Sequence, residues 1–390
     1  MEKVRFLISV CVMFAVCVCG SYADEPAKQM MPGGKTLLKK IQAFIDSASV
    51  DGIDKRYIEV PEKPWQIVLR TNVTQSDLHM SSKLDAQQYL STSKEKLAWK
   101  PRICTDITTY AGAWVGYRGY GIGLSKNISG DKGSLLTIGA TGSNYSLNMR
   151  LHDFQTDEPK VHLIGWFESD DNPDVLELTD QTTSFYLNSP MEVKTLTVDG
   201  YYFFNKKKFS NLAAYDQSVI QRRSAGSPVV GAMFFYSRVR YDHSMNNDFI
   251  LFMNNIGKIK QWQASIGGGY AYNWVIGKNL LINATVMPMI AFHNRVKIYT
   301  YDSFLLGKLK IDDSEIDMLA PEDWWIKPMG TKTFNSRMKL NIDAHLSVTY
   351  NLKNWFFNAN GQFCNFRYKH STAKGYLNDW YVNASVGLRL

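Results

Sequence analysis

From Met338 to Tyr350 every second residue is apolar: Met338, Leu340, Ile342, Ala344, Leu346, Val348 and Tyr350. Between them stand Lys339, Asn341, Asp343, His345, Ser347 and Thr349. Side chains of a strand alternate between its two faces, so this segment predicts a strand with one oily face and one polar face. The same two-residue period runs through "NYSLNMRLHDF" and through the final "DWYVNASVGLRL". It also runs through "QASIGGGYAYNWVIG", which a Gly-Lys-Asn turn at 277–279 joins to "LLINATVMPMIAFH" as a predicted hairpin. The segments 143–154, 338–350 and 379–390 are 12, 13 and 12 residues long. Globular strands usually run ~5–6 residues, whereas a tilted strand crosses a bilayer in ~9–11.

An oily face and a polar face separate two solvents, and two architectures do that. A soluble sandwich hides the oily face between sheets. A membrane barrel turns it to lipid and keeps the polar face inside. Connections such as 276–279 and 351–354 are short, while 75–100, 155–160 with 168–180, and 302–335 are long and polar. Tyr145, Phe154, Trp274, Tyr350, Trp355 and Trp380 sit toward strand ends, as interfacial girdles require. Together these predict an all-β fold: an antiparallel transmembrane β-barrel of the outer-membrane type, of about 12 strands (10–14). A secreted soluble β-sandwich that binds a partner is the alternative. One helix is predicted, over "GGKTLLKKIQAFIDSAS", where Leu37, Leu38, Ile41, Phe44 and Ile45 share a face opposite Lys39 and Lys40. It packs on its own protein or, on a second reading, lies on a membrane surface.

The first residues read as an export signal. Lys3 and Arg5 precede the apolar run Phe6 to Cys19, and small residues lead to cleavage after Ala23. The expected division is a signal peptide over 1–23, a periplasmic segment with the helix over 24–56, and a barrel domain over 57–390, in the cell outer membrane of a Gram-negative organism. The net charge of +8 is spread along the chain, which argues against nucleic-acid binding. Cys104 and Cys364 follow the signal; they could pair in an oxidising compartment, but two separate thiols are favoured.

Three blocks resemble a family called domain of unknown function 4421, made of exported proteins common in Bacteroidetes. "IDKRYIEVPEKPWQIVLRTN" fits its opening through Asp54, Tyr57, Ile58 and Pro64, and "WVGYRGYGIGLS" resembles its Gly-aromatic block. The most specific block is 200–231, with Asn205, Lys207, Lys208, Phe209, Ser210, Gln217, Ser218, Arg222, Arg223, Ser224, Gly226 and Ser227. The resemblance covers most of 53–390. It implies an exported, β-barrel-like protein and no activity.

Candidate chemistry is sparse. Asp343, His345 and Ser347 share a face, but same-face Cα atoms lie ~6.6 Å apart on a strand. A nucleophile relay needs bonds of about 2.6–3.2 Å, and serine is short. A polar lumen row is the better reading, formed by Arg150, His152, Arg238, Arg240, Lys339, Asp343, His345 and Arg389. Asp312, Asp313, Glu315 and Asp317 lack the glycine of a calcium loop, so neither a metal nor a cofactor is expected. Lys206, Lys207, Lys208, Arg222 and Arg223 gather five cations in one short block. They form either an anion site, for lipopolysaccharide phosphates or an acidic partner, or a solvated turn whose arginines cap a barrel plug. The expected role is non-catalytic: structural, transport-associated or surface-interacting. The expected partners are outer-membrane lipids, lipopolysaccharide and the barrel assembly machinery. A lipid-directed acyl hydrolase is the runner-up.

Overall fold

In the computed structural model the two-residue period becomes a ring of twelve antiparallel strands. The structure describes residues 32–85, 95–169, 172–184, 186–187, 189–240, 256–303, 325–335, 339–369 and 373–390. The expected signal peptide and the Asp312–Asp317 cluster lie outside them. Helix α1 (Pro32–Val50) comes first, then a short strand β1 (Ile58–Glu59). The chain continues with β2 (Trp65–Asp85), β3 (Glu95–Cys104), β4 (Thr108–Tyr117), β5 (Tyr120–Ser129) and β6 (Lys132–Thr141). Next are β7 (Tyr145–Thr156), β8 (Lys160–Ser169), β9 (Asn172–Ser184) and β10 (Met191–Phe203). A one-turn helix α2 (Asn211–Tyr215) and β11 (Ile220–Gln221) precede β12 (Ala225–Arg240), β13 (Ile256–Ile276) and β14 (Leu280–Ser303). The last strands are β15 (Trp325–Asn335), β16 (Lys339–Leu352), β17 (Trp355–Lys369) and β18 (Ala373–Arg389).

The ring runs β2, β4, β5, β6, β7, β10, β12, β13, β14, β16, β17, β18 and closes when β18 pairs with β2, Leu388 facing Ile67. Closure leaves the ring itself no free edge, which is what a strand-built membrane span requires. β3, β8 and β9 continue the sheet from the upper half of β2, and β15 does so from β14. Three segments expected to be long loops are therefore largely strand: 75–100, 168–180 and the last part of 302–335. They extend the sheet beyond the ring, and their sequences lack the strict apolar alternation of the ring strands.

Burial decides between sandwich and barrel. On β16, Asn341, Asp343, Ser347 and Thr349 are buried, while Leu340, Ile342, Leu346, Val348 and Tyr350 are exposed. Leu69 on β2 is 61% exposed, whereas Asn283 on β14 is fully buried. A soluble core does the reverse. Trp262 and Trp274 on β13 are twelve residues apart on the outer face. At ~3.3 Å per residue and a tilt of ~40°, that is about 30 Å, the thickness of a hydrocarbon layer.

One expected part of the lumen row is corrected. On β12 the inward residues are Val229, Met233, Phe235 and Ser237, and the outward ones include Val230 and Phe234. Arg238 and Arg240 share the outward parity, so they stand on the outer wall above the oily belt. The interior of this wall is apolar because it packs on other interior apolar groups; the Phe235 and Phe366 rings stack at 4.2 Å.

Local sequence explains two further features. Arg118 and Gly119 both have positive φ, 50° and 93°, in the two-residue turn joining β4 to β5, where the favoured hairpin twist calls for it. In the same "WVGYRGYGIGLS" block, Trp114 lies flat on the inner wall. A Cβ on Gly121 would come 2.5 Å from its ring, which only glycine avoids. Helix α1 lies on the outer face of β4–β7 at their turn end, Ile41 and Ile45 packing on Tyr117, Tyr120 and Ala140. The Tyr117 hydroxyl donates to Asp46 at 2.8 Å and the Ser143 amide to the Ala48 carbonyl at 2.8 Å.

Candidate functional site

The segment between β10 and β12 folds back into the barrel instead of looping away. Ser210 caps α2 by accepting from the Ala213 amide. Near its end the helix presents a carbonyl to the wall. The Ala214 carbonyl accepts from the hydroxyls of Ser347 and Thr349 and from Asn358 Nδ2. β11 pairs with β1, and Ile58, Leu212, Ala213 and Val219 form a small core against Leu281 of the wall. Asn273 Nδ2, fully buried, donates to the Ser210 carbonyl at 2.9 Å. Arg389, only 1% exposed, donates to the carbonyls of Gln217 and Lys353 and to Asn351 Oδ1. The result is a plug in the mouth of the barrel where the short turns lie.

The five block cations sit on the outer side of that plug, and four of them have partners within the chain. Lys206 pairs with Asp51 at 2.7 Å and Arg222 with Glu59 at 2.6 Å. Lys208 and Arg223 lie over the Tyr57 ring, 5.3 and 5.7 Å from its centroid. The Lys207 carbonyl accepts from the Asp54 amide. The structure thus brings the five together around residues 51–59.

Above the plug a polar cavity of about 190 Å³ remains. Arg150 donates to Asp379 at 3.2 Å and lies over the Tyr381 ring. Asp343, 1% exposed, accepts from Tyr201 at 2.8 Å and Gln362 at 2.9 Å, and His345 Nε2 lies 2.9 Å from it. Asp199 accepts from Asn148 at 2.8 Å. Arg70 donates to Ser125 and Thr137 and lies over Trp114. Ser347 turns away from His345 to the plug, so the three same-face residues form no nucleophile relay. His152 contacts the Tyr110 hydroxyl at 2.7 Å and stacks on Phe154. Lys339 keeps the inward parity of Asn341 on β16. Cys364 is buried with a free thiol beside Asp343, and the Cys104 side chain lies outside the described residues. No cluster of metal ligands exists among the described residues.

Sequence reading missed Arg70, Trp114, Asp199, Tyr201, Asp379 and Tyr381. Parity could have found several: Gln66, Arg70 and Asn72 alternate with Ile67, Leu69 and Thr71, and Asp379 and Tyr381 continue the polar row that ends at Arg389.

At the other end of the barrel, the β5–β6 turn buries Asp131, whose amide is held by the Thr108 hydroxyl and whose Oδ2 has no hydrogen-bond partner. Burial pushes this carboxyl from 3.8 up to about 6. Between those values the folded chain holds a proton that the unfolded chain releases, so stability falls as pH rises through that window. Asp131→Asn should abolish that slope and gain on the order of 1–3 kcal/mol at neutral pH. Urea midpoints of both chains across the window measure it; parallel curves would refute it.

A family model described as "Domain of unknown function (DUF4421)" matches residues 52–389, which take in plug and ring together. The chain belongs to this family. The DUF4421 match starts just after α1, so the outer helix stands apart from it. No curated protein matches the DUF4421 chain described here. Among solved structures, the chain is similar to the translocator domain of autotransporter NalP from Neisseria meningitidis, at 10% identity, covering 95% of this chain and 98% of that one, with a TM-score of 0.30. It is similar to the outer membrane protease OmpT from Escherichia coli, at 10% identity, over 85% and 97%, with a TM-score of 0.28. A third likeness is to the outer membrane protein OprG from Pseudomonas aeruginosa, at 9% identity, over 84% and 97%, with a TM-score of 0.27. Such distant likenesses say nothing of what this DUF4421 protein does.

Proposed function

We propose that this protein resides in the outer membrane as a plugged, non-catalytic barrel with a structural or surface-interaction role. The oily outer wall supports the location. Both ends of the ring and the short turns lie at one mouth, the arrangement of a periplasmic end, so the long strands rise outside the cell. The observation that carries the role is the plug. One carbonyl, Ala214, receives three wall donors, and Arg389 holds the next turn, so the periplasmic mouth is closed by bonds that must break together before solute passes.

Conductance tests this. Wild-type protein refolded in a planar bilayer should give no current above the lipid background. Ser347→Ala combined with Asn358→Ala removes two of the three donors to Ala214 and should raise the open probability at least tenfold. Steady wild-type channels would overturn the reading. Labelling by a fluorophosphonate probe, lost in Ser347→Ala, would favour the hydrolase instead.

A further inference from the structure

Four strands carry a band of cations on the outer wall, beyond the aromatic row Tyr236–Trp262. Register puts Lys194, Arg238, Lys260 and Lys297 side by side across β10, β12, β13 and β14. The next row outward holds Arg240 and Lys258, with Tyr299 beside Lys258, and Arg295 faces Trp262 in the aromatic row itself. Their parity is that of Val230, Phe234 and Ile266, which face lipid.

Like charges directly opposite on a sheet repel, so such a row persists only with a reason. Two carboxylates answer part of it at one edge: Asp153 lies 2.6 Å from Lys194, and Glu192 lies 3.9 Å from Arg238. The other edge is answered by none among the described residues. There Lys258, Lys260 and Lys297 gather round the single Tyr299 ring, at 4.8, 5.6 and 5.0 Å from its centroid. Desolvation, then Lys260 and Arg238, depress the Lys258 amine below its ordinary value. Three ammonium groups converging on one ring, half-exposed and facing outward just above an oily belt, form a cradle for a multiply charged anion whose tails lie along that belt.

We propose that this band binds the phosphate groups of a phosphorylated glycolipid of the outer leaflet, with Lys258, Lys260 and Lys297 as its centre. The phosphates supply the counter-charge that the row lacks, and the acyl chains lie on Phe234, Ile266 and their neighbours. This rests on the proposed membrane location and orientation, and it adds a specific ligand and site.

The test uses the full chain in zwitterionic detergent, with bisphosphorylated lipid A as the probe and native mass spectrometry as the readout. Wild type should retain the lipid at least tenfold more tightly than Lys258→Gln/Lys260→Gln/Lys297→Gln, while Lys260→Arg stays near wild type. Dephosphorylated lipid A should bind wild type no better than it binds the triple variant. Without lipid, the triple variant should melt higher than wild type, because like charges have been removed; a merely structural role for the lysines predicts the reverse. Heat-modifiable migration shows that each variant is folded. Equal lipid retention by wild type and the triple variant would overturn the proposal, as would indifference to the phosphates. Displacement of the lipid by equimolar inorganic phosphate would overturn it as well, marking a site for a free anion. Refolding into phosphatidylcholine vesicles separately tests the membrane location: failure there sinks the proposed location, while failure in detergent sinks only this site.

Discussion

Arg389→Ala should destabilise the barrel by about 3–5 kcal/mol and loosen its plug. The guanidinium is almost wholly buried and meets three acceptors: the Gln217 and Lys353 carbonyls and Asn351 Oδ1. It also lies over the Phe356 ring, 4.9 Å from its centroid. Truncation strands all three acceptors where water has little access, and each stranded group costs ~1–3 kcal/mol. It also cuts the link from the last strand to the plug. Arg389→Lys should recover less than half of the loss, since one ammonium cannot reproduce a planar fork aimed at three oxygens. Urea unfolding in vesicles, followed by tryptophan fluorescence, gives the midpoints. An Arg389→Ala midpoint equal to wild type would show that the plug is held by other contacts.

Asp343→Ala should cost a similar ~3–5 kcal/mol, with the damage inside the lumen instead of at the mouth. This carboxylate is the shared acceptor of Tyr201 and Gln362 and the ion partner of His345. Without it, three buried polar groups lose their common centre, and the Tyr201 hydroxyl and His345 are left facing one another at 3.1 Å. Asp343→Asn, which keeps the shape and one acceptor, should lose about half as much. A double-mutant cycle with His345→Gln should show a coupling of ~0.5–3 kcal/mol. Additive losses would mean that the pair is incidental to the network. Because the plug bonds are separate from this cluster, Asp343→Ala should leave the bilayer silent while Arg389→Ala does not, and that contrast separates lumen packing from plugging.

Much of the fold was legible because a strand that divides lipid from a polar interior leaves a strict two-residue signature. Residues 339–350 and 380–389 have the faces that alternation predicts, and the barrel with about twelve strands follows from the number and length of such segments. The strands outside the ring were less legible. β3, β9 and β15 extend the sheet outside the ring and fall largely in segments that read as polar loops. The candidate site was legible in part. Asp343, His345, Arg150 and Arg389 stand on inward rows, whereas Arg238 and Arg240 do not. On β12 both faces are apolar, so charge alone was a poor guide to the side on which those arginines project.

By itself, then, the sequence determined the period, the length of the spanning strands and the presence of two unlike faces, since each of these is a property of neighbours along the chain. Tertiary structure decided which face turns inward on β12, that residues 204–224 enter the lumen as a plug, and that lysines from two strands meet at Tyr299. Those outcomes depend on register and closure between strands far apart in sequence. Alternation with period two carries no sign, and it says nothing of which residue lies opposite which.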